Sequence, residues 1–73
     1  MDEINYVKCP EDKTITFHFT SERQISFKGD EISTIQVVDN QLSFTDYTLD
    51  EEVEVNINLD NVEYYILRDN KGV

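Results

Sequence analysis

His18 is the only histidine of the chain and stands between Thr16 and Thr20. An imidazole held against a hydroxyl can act as a general base, and Ser26 is the cross-strand neighbour the pattern predicts for it. His18 nevertheless falls on the polar side of an alternating run, where a histidine is simply solvated, and no neighbouring group is in place to orient it. Cys9 precedes Pro10 in the loop-like stretch Cys9-Pro10-Glu11-Asp12-Lys13. No Cys-His signature accompanies it, so the thiol reads as structural and partly buried. Asp50, Glu51, Glu52 and Glu54 offer hard oxygen ligands of the kind Ca²⁺ or Mg²⁺ takes. The Asp-x-Asp-x-Asp-Gly loop is missing, and neighbours along a strand point to opposite faces. Gly29 and Gly72 are the only glycines, too few for a phosphate-cradling loop. The reading expects no enzyme, no catalytic residue, no metal and no cofactor.

Binding chemistry has more to draw on. Phe17, Phe19, Phe27 and Phe44 resemble a base-stacking platform, but their spacing puts them on a core face and the basic groove of a single-strand binder is absent. The last apolar run, Val62-Glu63-Tyr64-Tyr65-Ile66-Leu67, is apolar at both parities. With Tyr64 and Ile66 assigned inward, Tyr65 and Leu67 stand on the outer face beside Glu54 and Asn56. An aromatic and aliphatic pair set in an acidic field is how a binding surface looks. The competing expectation is that an N-terminal strand covers the pair with Ile4 or Tyr6.

Charge is unevenly distributed. Residues 29–67 hold ten acids and no Lys or Arg, while the remaining segments balance six acids with six bases, so the net charge of −10 resides in the middle of the chain. Such a surface repels DNA, RNA and anionic membranes and suits a basic partner, or plain solubility. The expected partner-binding set is Asp50, Glu51, Glu52, Glu54, Glu63, Tyr65 and Leu67. Glu52 and Glu54 are expected on one strand face about 6.6 Å apart, a spacing suited to presenting successive negative charges.

Strands must position these groups. Ile15, Phe17 and Phe19 alternate with Thr14, Thr16, His18 and Thr20, the pattern of a half-buried strand. Gln24-Ile25-Ser26-Phe27-Lys28 alternates likewise, and a three-residue loop Ser21-Glu22-Arg23 would set Phe19 opposite Ile25 and Phe17 opposite Phe27. Asp39-Asn40 suits a two-residue type I′ turn, with Val37 opposite Leu42 and Ile35 opposite Phe44. Asp60-Asn61 is expected to repeat it, pairing Leu59 with Val62, Ile57 with Tyr64 and Val55 with Ile66. Adding a first strand at Ile4 to Lys8 gives seven short strands. Thr48-Leu49-Asp50-Glu51 matches a capping box, yet alternation from Val53 onward leaves room for one helical turn at most. Lys28-Gly29-Asp30-Glu31 reads as a turn, with a loop or bulge around Ser33. The inward set is Ile15, Phe17, Phe19, Ile25, Phe27, Ile35, Val37, Leu42, Phe44, Val53, Val55, Ile57, Leu59, Val62, Tyr64 and Ile66.

A serial meander of this length must curl into a small antiparallel barrel or fold into a two-layer sandwich to cover its apolar face. The expectation is therefore one all-β domain over residues 1–73. A lone cysteine cannot form an internal disulfide, which favours a reducing compartment, and two acids occupy the start of the chain where a secretory signal carries bases. The expected location is cytoplasmic. The functional expectation is a non-enzymatic acidic protein-binding module. Its sharper form is a nucleic-acid-mimicking inhibitor of a basic DNA- or RNA-binding partner, such as a host defence nuclease, encoded by a phage or other mobile element. Two alternatives stand beside it: a self-associating homo-oligomeric assembly domain, and a small-ligand-binding β-barrel.

Overall fold

In the computed structural model, residues 4–70 are described, and they form seven strands: β1 (Ile4–Val7), β2 (Lys13–Phe19), β3 (Gln24–Lys28), β4 (Ile35–Val38), β5 (Gln41–Asp46), β6 (Val53–Asn58) and β7 (Val62–Asp69). All pairings are antiparallel. They build a four-stranded sheet in the order β1-β4-β5-β6 and a three-stranded sheet in the order β3-β2-β7. The all-β expectation holds, and no pairing among the described residues joins the two sheets into a closed barrel.

The two layers meet over Cys9, Ile15, Phe17, Ile35, Leu42, Phe44 and Ile57, with Phe19, Phe27, Ile32, Val37, Val55, Leu59 and Val62 packed around them. Phe17 and Ile35 are the most deeply enclosed. Phe27 of one sheet meets Phe44 of the other edge to face at 4.9 Å, and Phe17 meets Phe27 at 6.5 Å. Such edge-on contacts add to what burial of the rings alone provides.

Each hairpin departs from its expected form for a local reason. Between β2 and β3 the loop is three residues long, but it is Thr20-Ser21-Glu22. The Phe19 N–H donates to Arg23 O at 2.9 Å, the Glu22 N–H donates to Phe19 O, and Glu22 takes the positive φ of 70° that such a loop needs at its end. The register therefore moves by two, to Phe17 opposite Ile25 and Ile15 opposite Phe27. Parity survives, so the faces stay as expected. At Asp39-Asn40 the two-residue turn forms and Val37 does oppose Leu42. Only Asp39 has positive φ (54°), whereas type I′ requires it at both central residues.

Asp60-Asn61 does not close a hairpin. Leu59–Asn61 is a 3₁₀ turn, in which the Asn58 side chain accepts from the Asp60 N–H. The Leu59 N–H donates to Asn40 O at 2.7 Å, the Asn40 amide donates to Asp60 Oδ1 at 2.9 Å, and the Thr20 N–H donates to Asn61 O. Anchored to both earlier turns, this corner carries the chain out of one sheet and into the other. The expected pairs of Leu59 with Val62, Ile57 with Tyr64 and Val55 with Ile66 are absent: β6 pairs with β5, and β7 pairs with β2.

The remaining connections agree with the pattern. Gly29–Glu31 is a 3₁₀ turn, and Gly29 sits where a Cβ would fall 2.0 Å from Pro10 O, so only glycine lets these two loops close. Ser33 and Thr34 are irregular, with the Ser33 N–H and Oγ both bonded to the Thr45 backbone. No helix forms after Thr48, whose N–H and hydroxyl donate to Asp46 Oδ1 instead. Among the described residues no helix is long and apolar enough to cross a membrane.

Candidate interaction surfaces

Strand β7 decides where the expected binding residues lie. Phe17 opposes Tyr65 and Ile15 opposes Leu67, so Tyr65 and Leu67 share the core-facing side of their sheet. Tyr64 and Ile66, assigned inward from sequence, lie on the outer side opposite His18 and Thr16. Nor do Tyr65 and Leu67 neighbour Glu54 and Asn56, which belong to the other sheet and pair with Thr45 and Ser43. The inversion has two causes: the strand is apolar at both parities, and the register shifts where Phe19 faces Val62. Ile25 and Val53, also expected inside, are exposed at the outer strands β3 and β6.

Facing inward does not bury Tyr65 and Leu67, which remain 60% and 44% exposed. They form one lip of an apolar cleft of about 230 Å³ between β1 and β7. Ile15, Phe17, Ile35 and Leu42 floor it, Val7 and Val62 wall it, and Lys8 and Pro10 stand at its rim. Strand β1 thus approaches the pair with Val7. Ile4 and Tyr6, the expected cover, point out of the opposite face opposite Val38 and Gln36. The cleft offers dispersion and little polar chemistry.

The acids of the expected set are all exposed but do not converge. Asp50, Glu51 and Glu52 lie in the connection between β5 and β6, and Glu54 lies on β6. Glu52 precedes the strand, so the two-residue repeat expected between it and Glu54 is not formed within β6. Glu63 follows the far end of β6, across a six-residue strand, beside a shallow hollow shared with His18, Arg23 and Tyr64. Among the described residues the one ion pair is Lys13 with Asp69, at 3.0 Å. That contact raises the Lys13 pKa, chiefly through the hydrogen bond and then through the charge of Asp69. Among the described residues, the acids between residues 29 and 67 have no ion-pair partner.

The outer face of the three-stranded sheet went unnoticed in the sequence. Its three rows are Lys28, Thr14 and Arg68; Ser26, Thr16 and Ile66; and Gln24, His18 and Tyr64. These nine side chains include two cations and no acid, in a chain of net charge −10. The Thr16 and Ser26 hydroxyls bond at 2.8 Å, and His18 stacks on Tyr64 at 4.4 Å with ring planes 14° apart. Ser26 is thus the partner of Thr16, while His18 opposes Gln24. The alternating polar positions were visible, but assembling them needs the pairing of β7 with β2.

No protein-family model, curated protein or solved structure matches this chain.

Cys9 is buried in the core, its Sγ directed to Pro10 O and Lys13 O at 3.7 and 3.9 Å. Burial pushes its pKa up, Asp12 adds to the shift and Lys13 opposes it, so the thiol is held in its protonated, less nucleophilic form. Among the described residues, no three His, Cys, Asp or Glu side chains gather as a metal site.

Proposed function

We propose that this chain is a non-enzymatic protein-binding module that uses its acidic connection and adjoining edge, Asp50, Glu51, Glu52 and Glu54, to engage a basic surface of a partner protein. The observation that carries the reading is that these carboxylates are exposed and have no ion-pair partner among the described residues. A field left unneutralised by its own chain acts on what approaches it, steering a cationic surface and raising its encounter rate. Because Tyr65 and Leu67 lie on the other sheet, the acidic footprint works without them as its anchor. In the sharper form the partner is a nucleic-acid-binding protein whose cleft the acids occupy in place of phosphates. The sandwich-like stacking of two layers supplies the rigid support that such presentation needs.

The test replaces Glu51, Glu52 and Glu54 together by Gln. Partners captured from lysate by the parent chain at low salt are expected to be released at high salt and to be missed by the variant. With a captured partner in hand, the triple variant should associate more slowly and with a flatter salt dependence, while its dissociation changes little. Competition by duplex DNA for the captured partner checks the mimic form. Equal capture by parent and variant would show that the acids serve solvation alone.

A further inference from the structure

Among the described residues each sheet exposes two edges, and three of the four are short or charged. β1 is only four residues long, β3 is five residues and ends on Lys28, and β6 carries Glu54 next to Asp50, Glu51 and Glu52. Short length and charge are the usual means of keeping a second strand away. β7 differs: it is the longest strand, at eight residues, bonds among the described residues to β2 alone, and keeps its charges, Glu63, Arg68 and Asp69, toward its ends, so that Tyr64, Tyr65, Ile66 and Leu67 form an uncharged run. We infer that β7 is the interface through which two copies of this chain pair, antiparallel, about a two-fold axis at Ile66.

The backbone directions support that pairing. At one end of the ladder the Asn70 N–H donates to Asp12 O, and on the other side of β2 the Phe19 N–H donates to Arg23 O. Alternation from either point gives the same answer: Tyr64, Ile66 and Arg68 bond to β2, and the amides and carbonyls of Tyr65 and Leu67 point to the free edge. A two-fold axis that continues the sheet must match outer face with outer face, so it falls on a residue and not between residues. Centred on Ile66, it uses residues 64–68, a stretch free of the register shift near Val62. Tyr65 then opposes Leu67 of the second copy on the cleft side, covering two exposed side chains. On the other side Tyr64 opposes the second copy's Arg68, a cation–π arrangement.

Charge chooses the same site. Two chains of net charge −10 repel, but Asp50, Glu51, Glu52 and Glu54 belong to the other sheet or the loop leading into it, and the acids that β7 itself brings together are Glu63 and the second copy's Asp69, the latter held by Lys13 at 3.0 Å. Joining two copies at β7 makes one six-stranded sheet whose outer face carries the two acid-free grids side by side, with Glu63 at their margin.

Sedimentation of the full chain over rising concentration, at low and high salt, tests the inference. The mass is expected to double, and association to tighten with salt as repulsion is screened. That sign is opposite to the loss with salt expected for a basic partner, so the two readings fail separately. Leu67→Pro removes a free-edge amide and spares those bonded to β2; it should weaken association at least about tenfold with an unchanged circular dichroism spectrum. Should that variant unfold, Ile66→Cys provides the second test: mild oxidation should give a covalent dimer, whereas Thr16→Cys, on the same face of the central strand, should not. A parent chain monomeric at every soluble concentration, or equal cross-linking of the two cysteine variants, overturns the proposal.

Discussion

The dipeptide Asp-Asn occurs at two corners of this molecule, and they do different things. Asp39-Asn40 turns the chain back into its own sheet, while Asp60-Asn61 sends it across to the other. The difference lies two residues upstream of each aspartate. At the second corner that residue is Asn58, whose side chain accepts from the Asp60 N–H and sets a local turn of its own. At the first it is Val37, which has no acceptor to offer and packs toward the core. Without that competition, Asp39 adopts positive φ and the hairpin closes. A turn dipeptide specifies a change of direction, and its neighbours specify which one. The corners are also coupled, because Asn40 holds Asp60 through its side chain and Leu59 through its carbonyl.

The largest test of this coupling is packing beneath it. Leu42 leaves the first corner, Ile57 enters the second, and the two are paired and buried. Ile57→Ala is expected to cost about 2 to 5 kcal/mol, read by chemical denaturation. Ile25→Ala, at a position expected inside from sequence but exposed in the fold, should cost well under about 1.5 kcal/mol. Equal losses at the two sites would contradict the arrangement of the core.

A smaller effect isolates the upstream residue. Asn58→Val gives the second corner the side chain of the first, and is expected to cost about 1 kcal/mol through the lost acceptor. Hydrogen exchange at the Asp60 amide should accelerate. If that amide stays equally protected, Asn58 is not what separates the corners.

The smallest effects differ in sign. Asp39→Gly removes the steric penalty of positive φ and should stabilise by a few tenths of a kcal/mol, the gain being reduced by the greater freedom of glycine in the unfolded chain. Asp60→Gly should destabilise by about 1 kcal/mol, since that residue has no positive φ to relieve and loses its bond to Asn40. Paired denaturation midpoints check both. The same sign at both corners would mean that they are alike after all.

Much of the candidate interaction surface was legible as composition and little of it as geometry. The acidity of residues 29–67 needs only the sequence, and exposure of its carboxylates follows from the cost of burying charge. The acid-free grid was not legible, because its rows draw on three segments, the last lying about fifty residues from the first. Cys9, expected to be partly buried, is enclosed in the core, and that enclosure depends on Gly29 admitting the Pro10 loop.

Alternation alone determined that the chain is all-β and which parity of β2, β4 and β5 faces the core, since a half-buried strand must repeat every two residues. Turn chemistry added two hairpins, one of them placed a residue away from its expected loop. Tertiary structure decided the rest: which strand β7 joins, and hence that Tyr65 and Leu67 border the cleft while Tyr64 stacks on His18 outside. The physical reason is that β7 is apolar at both parities, so either face could be buried at similar cost and its pattern could not select a register. That choice was left to contacts distant in sequence: the Asn40 and Thr20 bonds that fix the second corner, and the open side of β2 waiting for a partner.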